Sequence, residues 1–214
     1  TATALKGAVD EMFMGMNRRK NTEQIGTDIL RKRTSTTIIF PEQSETNLTS
    51  GGHIEEGCNV TEPIDEFRGK YFFLSNFYPA PVEYQGYRFE NNEAAFQAAK
   101  CPERMLDFCN LTPRLAKWLG RKVPLRPDWE LVKYDVMYEV CMAKFTQNPD
   151  LLSKLLSTGD AELIEGNTWG DRVWGVDMYR CIGENHLGKI LMRVRSELGG
   201  IIDKFCEAPG YSPS

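Results

Sequence analysis

Residues 165–176 read Glu-Gly-Asn-Thr-Trp-Gly-Asp-Arg-Val-Trp-Gly-Val, so that an aspartate stands between two tryptophans. Trp169 and Trp174 are large flat side chains that could form a wall against a planar ligand. Asp171 could then stabilise the positive charge that develops on a sugar carbon when its bond to a base breaks. The same residues also fit a buried loop in which the tryptophans fill the core and Asp171 forms a turn.

A second candidate for acid–base chemistry is Glu93, at the start of a predicted helix. At 3.6 residues per turn, Glu93, Gln97 and Lys100 lie on one helix face. A carboxylate and an ammonium on that face could act together in cleaving a sugar–base bond. The spacing alone favours a simpler explanation, in which Glu93 stabilises the helix N-terminus and Lys100 forms a solvated ion pair.

Other residues have the chemistry to bind phosphate or ribose. Arg68-Gly69 and Asn76-Phe77 border the first predicted strand. An arginine can clamp a phosphate, and a glycine lets the phosphate approach the backbone. Asn185 opens the last predicted helix, whose free N–H groups could hold an anion. Ordinary helix capping is the simpler explanation of this pattern.

Helices are predicted to position most of these residues, so the expected fold class is mainly α, multihelical with a small β-sheet or hairpin portion. Trp129 begins the longest of these helices and fits either the core or a stacking surface. The core stripe of that helix is predicted as Leu131, Val132, Val136, Val140, Met142 and Phe145. The predicted strands are Tyr71–Leu74 and the two arms of a hairpin, Pro81–Tyr84 and Tyr87–Phe89, which are joined by Gln85-Gly86. Predicted helices begin at Asn91 or Asn92, at Thr112-Pro113, at Asp128, at Asn148-Pro149 and at Asn185. The second, fourth and fifth of these helices are predicted to end at Gly120, near Gly159 and at Gly199-Gly200.

The chain is predicted to divide into three parts. Residues 1–63 form an N-terminal helix, with an apolar stripe from Leu5 to Met16, followed by a polar and partly linker-like extension. Residues 64–200 form the catalytic domain, and residues 201–214 form a C-terminal tail.

Composition excludes several classes of protein. The 214 residues contain no apolar run long enough to span a membrane, and the net charge of −4 argues against broad coating of nucleic acid. The six cysteines are scattered without CxxC pairs and there are two histidines, which makes a structural zinc site unexpected. Such cysteines are typical of reduced thiols, so we expect a cytoplasmic location, or a nuclear one in a eukaryote.

Six motifs together resemble the NADAR superfamily of YbiA-like N-glycosidases, between about Phe67 and Leu198. The motifs are Phe67-Arg68-Gly69 with Tyr71; Phe73-Leu74-Ser75-Asn76-Phe77-Tyr78-Pro79; Glu93-Ala-Ala-Phe-Gln-Ala-Ala-Lys100; Trp129 with Val132-Lys133; Glu165-Gly166-Asn167 with Trp169-Gly170-Asp171; and Gly183-Glu184-Asn185-His186-Leu187-Gly188-Lys189-Ile190-Leu191-Met192 with Arg195.

This resemblance implies a mostly helical, YbiA-like single domain and N-glycosidase chemistry without a metal or a cofactor. It also implies roles for particular residues. The positions that match the family's active site are Glu93, Trp129, Trp169 and Asp171, and those for which we expect phosphate or ribose contacts are Arg68, Asn76 and Asn185.

Two activities are associated with the family. One removes ADP-ribose from guanine bases in nucleic acid, and the other cleaves phosphoribosylaminopyrimidine intermediates of riboflavin synthesis. Trp174, which is additional to the motifs of the family, suits a larger ligand and so favours the first activity. The expected ligand is then an ADP-ribose moiety, and the expected substrate is ADP-ribosylated nucleic acid. No membrane partner is expected. A module that binds ADP-ribose or NAD without cleaving it is a further alternative, although such a module would not need both carboxylates.

The expected mechanism places the ribose between Glu93 and Asp171, one of which stabilises the developing charge and orients a water molecule. Lys100 could supply a proton to the leaving base or capture the opened sugar as a Schiff base. The sequence leaves both roles of Lys100 open.

Overall fold

A computed structural model of the chain describes residues 61–206, with side chains described up to residue 204. The predicted N-terminal helix and almost all of the linker-like extension therefore lie outside the described residues, as do residues 207–214. The elements of the described region are a 3-10 helix at Gly69–Leu74, strands β1 (Pro79–Tyr84) and β2 (Tyr87–Asn91), helix α1 (Asn92–Ala98), a second 3-10 helix at Pro102–Phe108, helices α2 (Pro113–Leu119), α3 (Trp129–Gln147) and α4 (Pro149–Leu156), strands β3 (Gly166–Asn167) and β4 (Val176–Asp177), and helix α5 (His186–Cys206).

The predicted hairpin is confirmed. Strands β1 and β2 pair antiparallel, with Tyr84 opposite Tyr87. Gln85 and Gly86 between them both have positive φ, which gives the type of two-residue turn that matches the twist of a hairpin. Alternate residues of β1 are buried, and this inner face packs against α3.

Helix α1 begins where the asparagine pair predicts. The side chain of Asn91 accepts a hydrogen bond from the N–H of Ala94 at 2.9 Å, which caps the helix. All seven residues of α1 are buried, because the helix packs against α2, α3 and the second 3-10 helix. Glu93 and Gln97 are therefore carried into the interior rather than onto a solvated face.

The prediction of a strand at Tyr71–Leu74 is wrong, since these residues belong to the first 3-10 helix. Their aromatic character is typical of strands, but Phe73 and Leu74 are buried here by a tight turn. The buried Lys144 of α3 donates hydrogen bonds to the carbonyl oxygens of Phe73 at 2.7 Å and Ser75 at 2.9 Å. This contact, 71 residues away in sequence, is not visible in the local pattern.

The two long helices, α3 and α5, pack against each other. Most of the predicted stripe of α3 is buried, but Leu131 is 81% exposed and its assignment to the core is wrong. Trp129 sets the buried face, and Leu131 lies about 200° around the helix from it.

Helix α5 continues to Cys206, so the predicted end at Gly199-Gly200 is wrong. Two glycines inside a helix cost about 2 kcal/mol together. Ile201 and Ile202 pack against the core and offset that cost. Gly199 also lies beside Leu156 of α4, where a Cβ would be in ordinary van der Waals contact with a methyl group at 3.6 Å.

Short β contacts hold the segment that leads into the loop between β3 and β4. Ile64 forms a parallel bridge with Leu163, and β3 pairs parallel with β4. The chain between β3 and β4 carries Trp169, Asp171 and Trp174. No helix in the described part of the chain has both the length and the apolar character to cross a membrane.

Replacing Lys144 by methionine should lower the free energy of unfolding by about 3 kcal/mol, because two buried carbonyl oxygens lose their donor. Urea unfolding of the full chain measures this loss. The matched control is Lys154→Met, since Lys154 is exposed in α4. Equal losses in the two variants would contradict the assigned role of Lys144.

Candidate active site

A cleft of about 650 Å³ brings together residues from the first 3-10 helix, α1, the end of α2 and the β3–β4 loop. Its walls combine acidic, basic and aromatic side chains. The carboxylates are Glu93, Glu165 and Asp171; the cations are Arg68, Lys100, Lys117 and Arg121; the rings are Phe67, Phe72, Phe77, Phe96, Trp169 and Trp174; and the remaining residues are Ser75, Asn76, Gln97, Met137 and Leu187.

Most of the residues singled out from the sequence meet at this cleft. They are Glu93, Lys100, Asp171, Arg68, Asn76, Phe77, Trp169 and Trp174. Gly69, Trp129 and Asn185 do not line it. Gly69 begins the first 3-10 helix with φ +52°.

Trp129 and Asn185 support the cleft from behind instead of forming its surface. Trp129 is 5% exposed, and its ring lies 5.2 Å from that of Phe96, which does line the cleft. The buried side chain of Asn185 accepts from the N–H of Glu165 at 3.0 Å and donates to the carbonyl of Leu163 at 2.9 Å. In this structure both residues lie behind the lining of the cleft, and the ligand contacts expected of them stay predictions.

Glu93 is buried at the N-terminus of α1. Its Oε1 accepts a hydrogen bond from Nε2 of Gln97 at 2.8 Å. Burial raises the pKa of Glu93, while this hydrogen bond and the charges of Lys117 and Lys100 act in the opposite direction. Gly120 leaves room for Gln97, because a Cβ at that position would lie 1.9 Å from the Gln97 amide oxygen.

Asn76 links the first 3-10 helix to α1. Its backbone carbonyl accepts from the N–H of Glu93 at 3.1 Å, and its side-chain oxygen accepts from Asn92 at 3.3 Å. Asn76 therefore positions the catalytic candidate as well as lining the cleft.

Asp171 both forms a turn and lines the cleft. Its Oδ1 accepts from the N–H groups of Val173 at 3.1 Å and Trp174 at 3.0 Å. Asn167 clamps the backbone on the other side, donating to the Asp171 carbonyl at 2.7 Å and accepting from its N–H at 2.9 Å. The turn explanation and the functional explanation are thus both compatible with the structure, since the hydrogen bonds that form the turn fix the carboxylate in place.

The two loop tryptophans differ in exposure. Trp174 is partly buried and meets Phe96 edge-on at a centroid distance of 5.3 Å, with Tyr134 at 5.5 Å. Trp169 is 61% exposed at the rim. Trp174 is therefore part of a packed wall, whereas Trp169 presents a free surface.

Glu165 is a site residue to which the sequence analysis assigned no role. Glu165 as a whole is partly exposed, but its Oε2 atom is buried and has no hydrogen-bond partner among the described residues. Burial, with the charges of Asp171 and Glu93 adding to it, raises the pKa of Glu165 to about 8. The available signal was its place at the end of an apolar run, Leu163-Ile164-Glu165, just before β3.

Lys117 and Arg121 were also missed. Lys117 lies in the last turn of α2 and Arg121 just beyond its end, and both line the cleft. Lys100 is half-buried near the Trp129 ring, and burial lowers the pKa of its amine. Within residues 61–206 no group of three or more His, Cys, Asp or Glu side chains is arranged to hold a metal ion.

Comparison with known proteins identifies the family. Residues 65–199 match the sequence model of the NADAR domain. The chain belongs to the NADAR family. The resemblance seen in the motifs is confirmed, and so is the mostly helical single domain with a small β portion.

Several NADAR relatives align over most of this domain. N-glycosidase Npun_R5314 of Nostoc punctiforme is 36% identical over 140 residues, which cover 62% of this chain and 88% of that protein. N-glycosidase YbiA of Escherichia coli is 37% identical over 130 residues, covering 58% and 80%. Riboflavin biosynthesis protein VVA0006 of Vibrio vulnificus is 37% identical over 150 residues, covering 68% of this chain but 39% of that protein. The NMR structure of YbiA superposes with a TM-score of 0.61 at 30% identity, covering 72% of this chain and 96% of YbiA.

The raised pKa of Glu165 predicts a pH-dependent effect on stability. A carboxyl whose pKa is higher in the folded state favours folding below its unfolded pKa, and that advantage is lost as pH rises through the folded value, here about 8. Glu165→Gln should therefore gain stability relative to the wild type between pH 5 and pH 9, by about 2–4 kcal/mol. Chemical unfolding at several pH values measures this gain. The exposed Glu162→Gln is the control, and a difference that stays constant with pH would contradict the assignment.

Proposed function

We propose that this chain is an N-glycosidase that hydrolyses the bond between a ribose and a base. The observation that carries the proposal is that Glu93, Glu165 and Asp171 share one cleft with aromatic walls. Cleavage of such a bond leaves positive charge on the anomeric carbon, and carboxylates in a partly desolvated site stabilise that charge strongly. Similarity to two proteins named N-glycosidases supports the same reaction.

In this mechanism Glu93 and Asp171 flank the ribose. Asp171 is held by backbone N–H groups through Oδ1, so its carboxylate can orient a water molecule without rearranging. Lys100 has two roles consistent with a half-buried amine of lowered pKa, which are proton donation and attack on the sugar to form a Schiff base. Trapping with borohydride during turnover distinguishes the covalent role from the other.

The proposed substrate is ADP-ribosylated guanine in nucleic acid, from which the enzyme removes ADP-ribose. Arg68, Lys117 and Arg121 supply cationic groups for a pyrophosphate. The exposed ring of Trp169 offers a stacking surface for a base, beside the wall formed by Trp174. An ADP-ribosyl group carries both of these features, a pyrophosphate and a second base.

A second candidate substrate is a phosphoribosylaminopyrimidine intermediate of riboflavin synthesis. The similarity to a protein named for riboflavin biosynthesis favours it. The same cations would then bind a single phosphate, and the exposed ring of Trp169 would have no second base to stack on.

The decisive experiment is product analysis by mass spectrometry after parallel incubation with a guanine-ADP-ribosylated oligonucleotide and with phosphoribosylaminouracil. We expect free ADP-ribose and restored guanine from the first substrate. Cleavage of the pyrimidine intermediate alone would transfer the assignment to the second candidate. Tight binding of ADP-ribose without cleavage of either compound would indicate a binding module.

Replacing either flanking carboxylate should reduce kcat/KM by at least about 100-fold, because each acts on the charge of the transition state. The variants are Glu93→Gln and Asp171→Asn, measured with whichever substrate the product analysis identifies. Glu162→Gln and Asp107→Asn, both exposed outside the cleft, serve as controls. Wild-type kcat/KM in both cleft variants would show that this pair does not perform the chemistry.

Replacing Trp169 by alanine should raise KM for the ADP-ribosylated oligonucleotide about tenfold with a smaller effect on kcat, because stacking on one base contributes about 1–3 kcal/mol. Trp118→Ala is a matched control, since Trp118 is similarly exposed but does not line the cleft. Steady-state kinetics separates the two parameters. A loss confined to kcat would place Trp169 at the reacting bond instead of at a binding surface.

A further inference from the structure

The carboxyl group of Glu165 differs from its two neighbours in the cleft. Glu93 accepts a hydrogen bond from Gln97, and Asp171 accepts two from backbone N–H groups. The Oε2 atom of Glu165 is buried with no partner among the described residues. A buried polar atom without a partner is costly, so its retention beside a cleft points to a partner supplied by the ligand.

The backbone around Glu165 is held firmly, which fixes where this carboxyl can point. Its N–H donates to the side chain of Asn185 at 3.0 Å, and its carbonyl accepts from Val176 at 2.9 Å. Gly175 passes so close that a Cβ there would lie 2.1 Å from the Glu165 carbonyl oxygen. The sequence thus keeps a glycine where any larger residue would displace Glu165.

Cleavage of a bond between ribose and a base requires a proton donor in the cleft, and Glu165 is an alternative to Lys100 for this role. A base nitrogen leaves poorly as an anion, so it must receive a proton as the bond breaks. The donor must hold a proton at neutral pH and lie in the cleft beside the reacting bond. Burial beside Asp171 and Glu93 keeps the pKa of Glu165 high enough to meet the first condition, and its place in the cleft wall meets the second.

We propose that Glu165 is the catalytic acid that protonates the departing base. This assignment rests on the proposed N-glycosidase function. The electron pair of the bond between C1′ and nitrogen passes to the nitrogen, which takes the proton of Glu165. Water bonds to C1′ and gives a proton to Asp171, which then releases it to solvent, and solvent returns a proton to Glu165. Water is the only co-reactant that this cycle consumes.

The test compares two leaving groups on the same ADP-ribose. One substrate is the guanine-ADP-ribosylated oligonucleotide, and the other is the 4-nitrophenyl glycoside of ADP-ribose, whose phenolate leaves readily without a proton. For Glu165→Gln we expect kcat/KM to fall at least about 100-fold on the first substrate and less than about fivefold on the second. In the wild type, activity on the first substrate should decline above about pH 8, and the variant should lack this decline.

Matched variants separate proton donation from other roles. Asp171→Asn and Glu93→Gln should lose activity on both substrates, because both substrates develop the same charge on the sugar. Glu162→Gln, exposed and outside the cleft, should lose activity on neither. Glu165→Gln keeps the size of the side chain and removes its ionisation, so its fold can be checked by melting temperature at pH 7.

Three results would overturn the assignment. If Glu165→Gln lost kcat/KM equally on both substrates, Glu165 would act by stabilising the charge on the sugar or by holding the loop. If it lost kcat/KM on neither substrate, Glu165 would have no part in the reaction. Wild-type failure to cleave any base-linked substrate would overturn the proposed function, and this assignment with it. If the wild type cleaves the base-linked substrate, the proposed function stands, and the result for Glu165→Gln then tests the role of Glu165 alone.

Discussion

Keeping three carboxyl groups together in a partly desolvated cleft is the constraint on which the rest of the site depends. Like charges repel, and removing them from water costs several kcal/mol for each ion. The protein meets this cost in three different ways. Gln97 donates to Glu93, backbone N–H groups donate to Asp171, and Glu165 has a pKa of about 8 that keeps its proton at neutral pH. Different environments thus separate the chemical roles of similar side chains.

Two buried asparagines hold the backbone of the acidic residues in place. Asn185 joins the strand segment at Leu163 and Glu165 to the start of α5, and Asn167 clamps both backbone groups of Asp171. Both amides are buried; Asn185 satisfies one donor and one acceptor of the main chain, and Asn167 satisfies one donor and two acceptors. A family motif that includes such asparagines therefore reports the positioning of the site as much as contact with a ligand.

Local signals in the sequence predicted the parts of the fold that local interactions determine. The hairpin follows from Gln85-Gly86, and the start of α1 follows from the capping asparagine Asn91. The 3-10 helix at Gly69–Leu74 and the far end of α5 depend on tertiary contacts, from Lys144 in one case and from Ile201 and Ile202 in the other. Propensity cannot report contacts between residues that are distant along the chain.

The candidate site shows the same division. Carboxylates and tryptophans grouped in one short segment indicated Asp171. The helix face shared with Gln97 and Lys100, together with a family motif, indicated Glu93. Glu165 stands in the same segment, but what sets it apart is burial of one oxygen atom, and composition carries no information on that. Trp129 lies at another motif position, and its packing against Phe96 places the ring behind the cleft wall, which no local pattern in the sequence predicts.

In the proposed reaction, Lys117 links ligand binding to the proton that the leaving base requires. Its charge lowers the pKa of both Glu93 and Glu165, opposing the larger effect of burial. A phosphate bound against Lys117 would offset that charge and strengthen the hold of both carboxyls on their protons. A phosphorylated ligand would therefore favour the protonated form of Glu165 by occupying the cleft, whereas an unphosphorylated nucleoside would leave the Lys117 charge uncompensated. In the proposed reaction, the cation Lys117 thus influences the protonation of the cleft carboxyl groups as well as the affinity for the ligand.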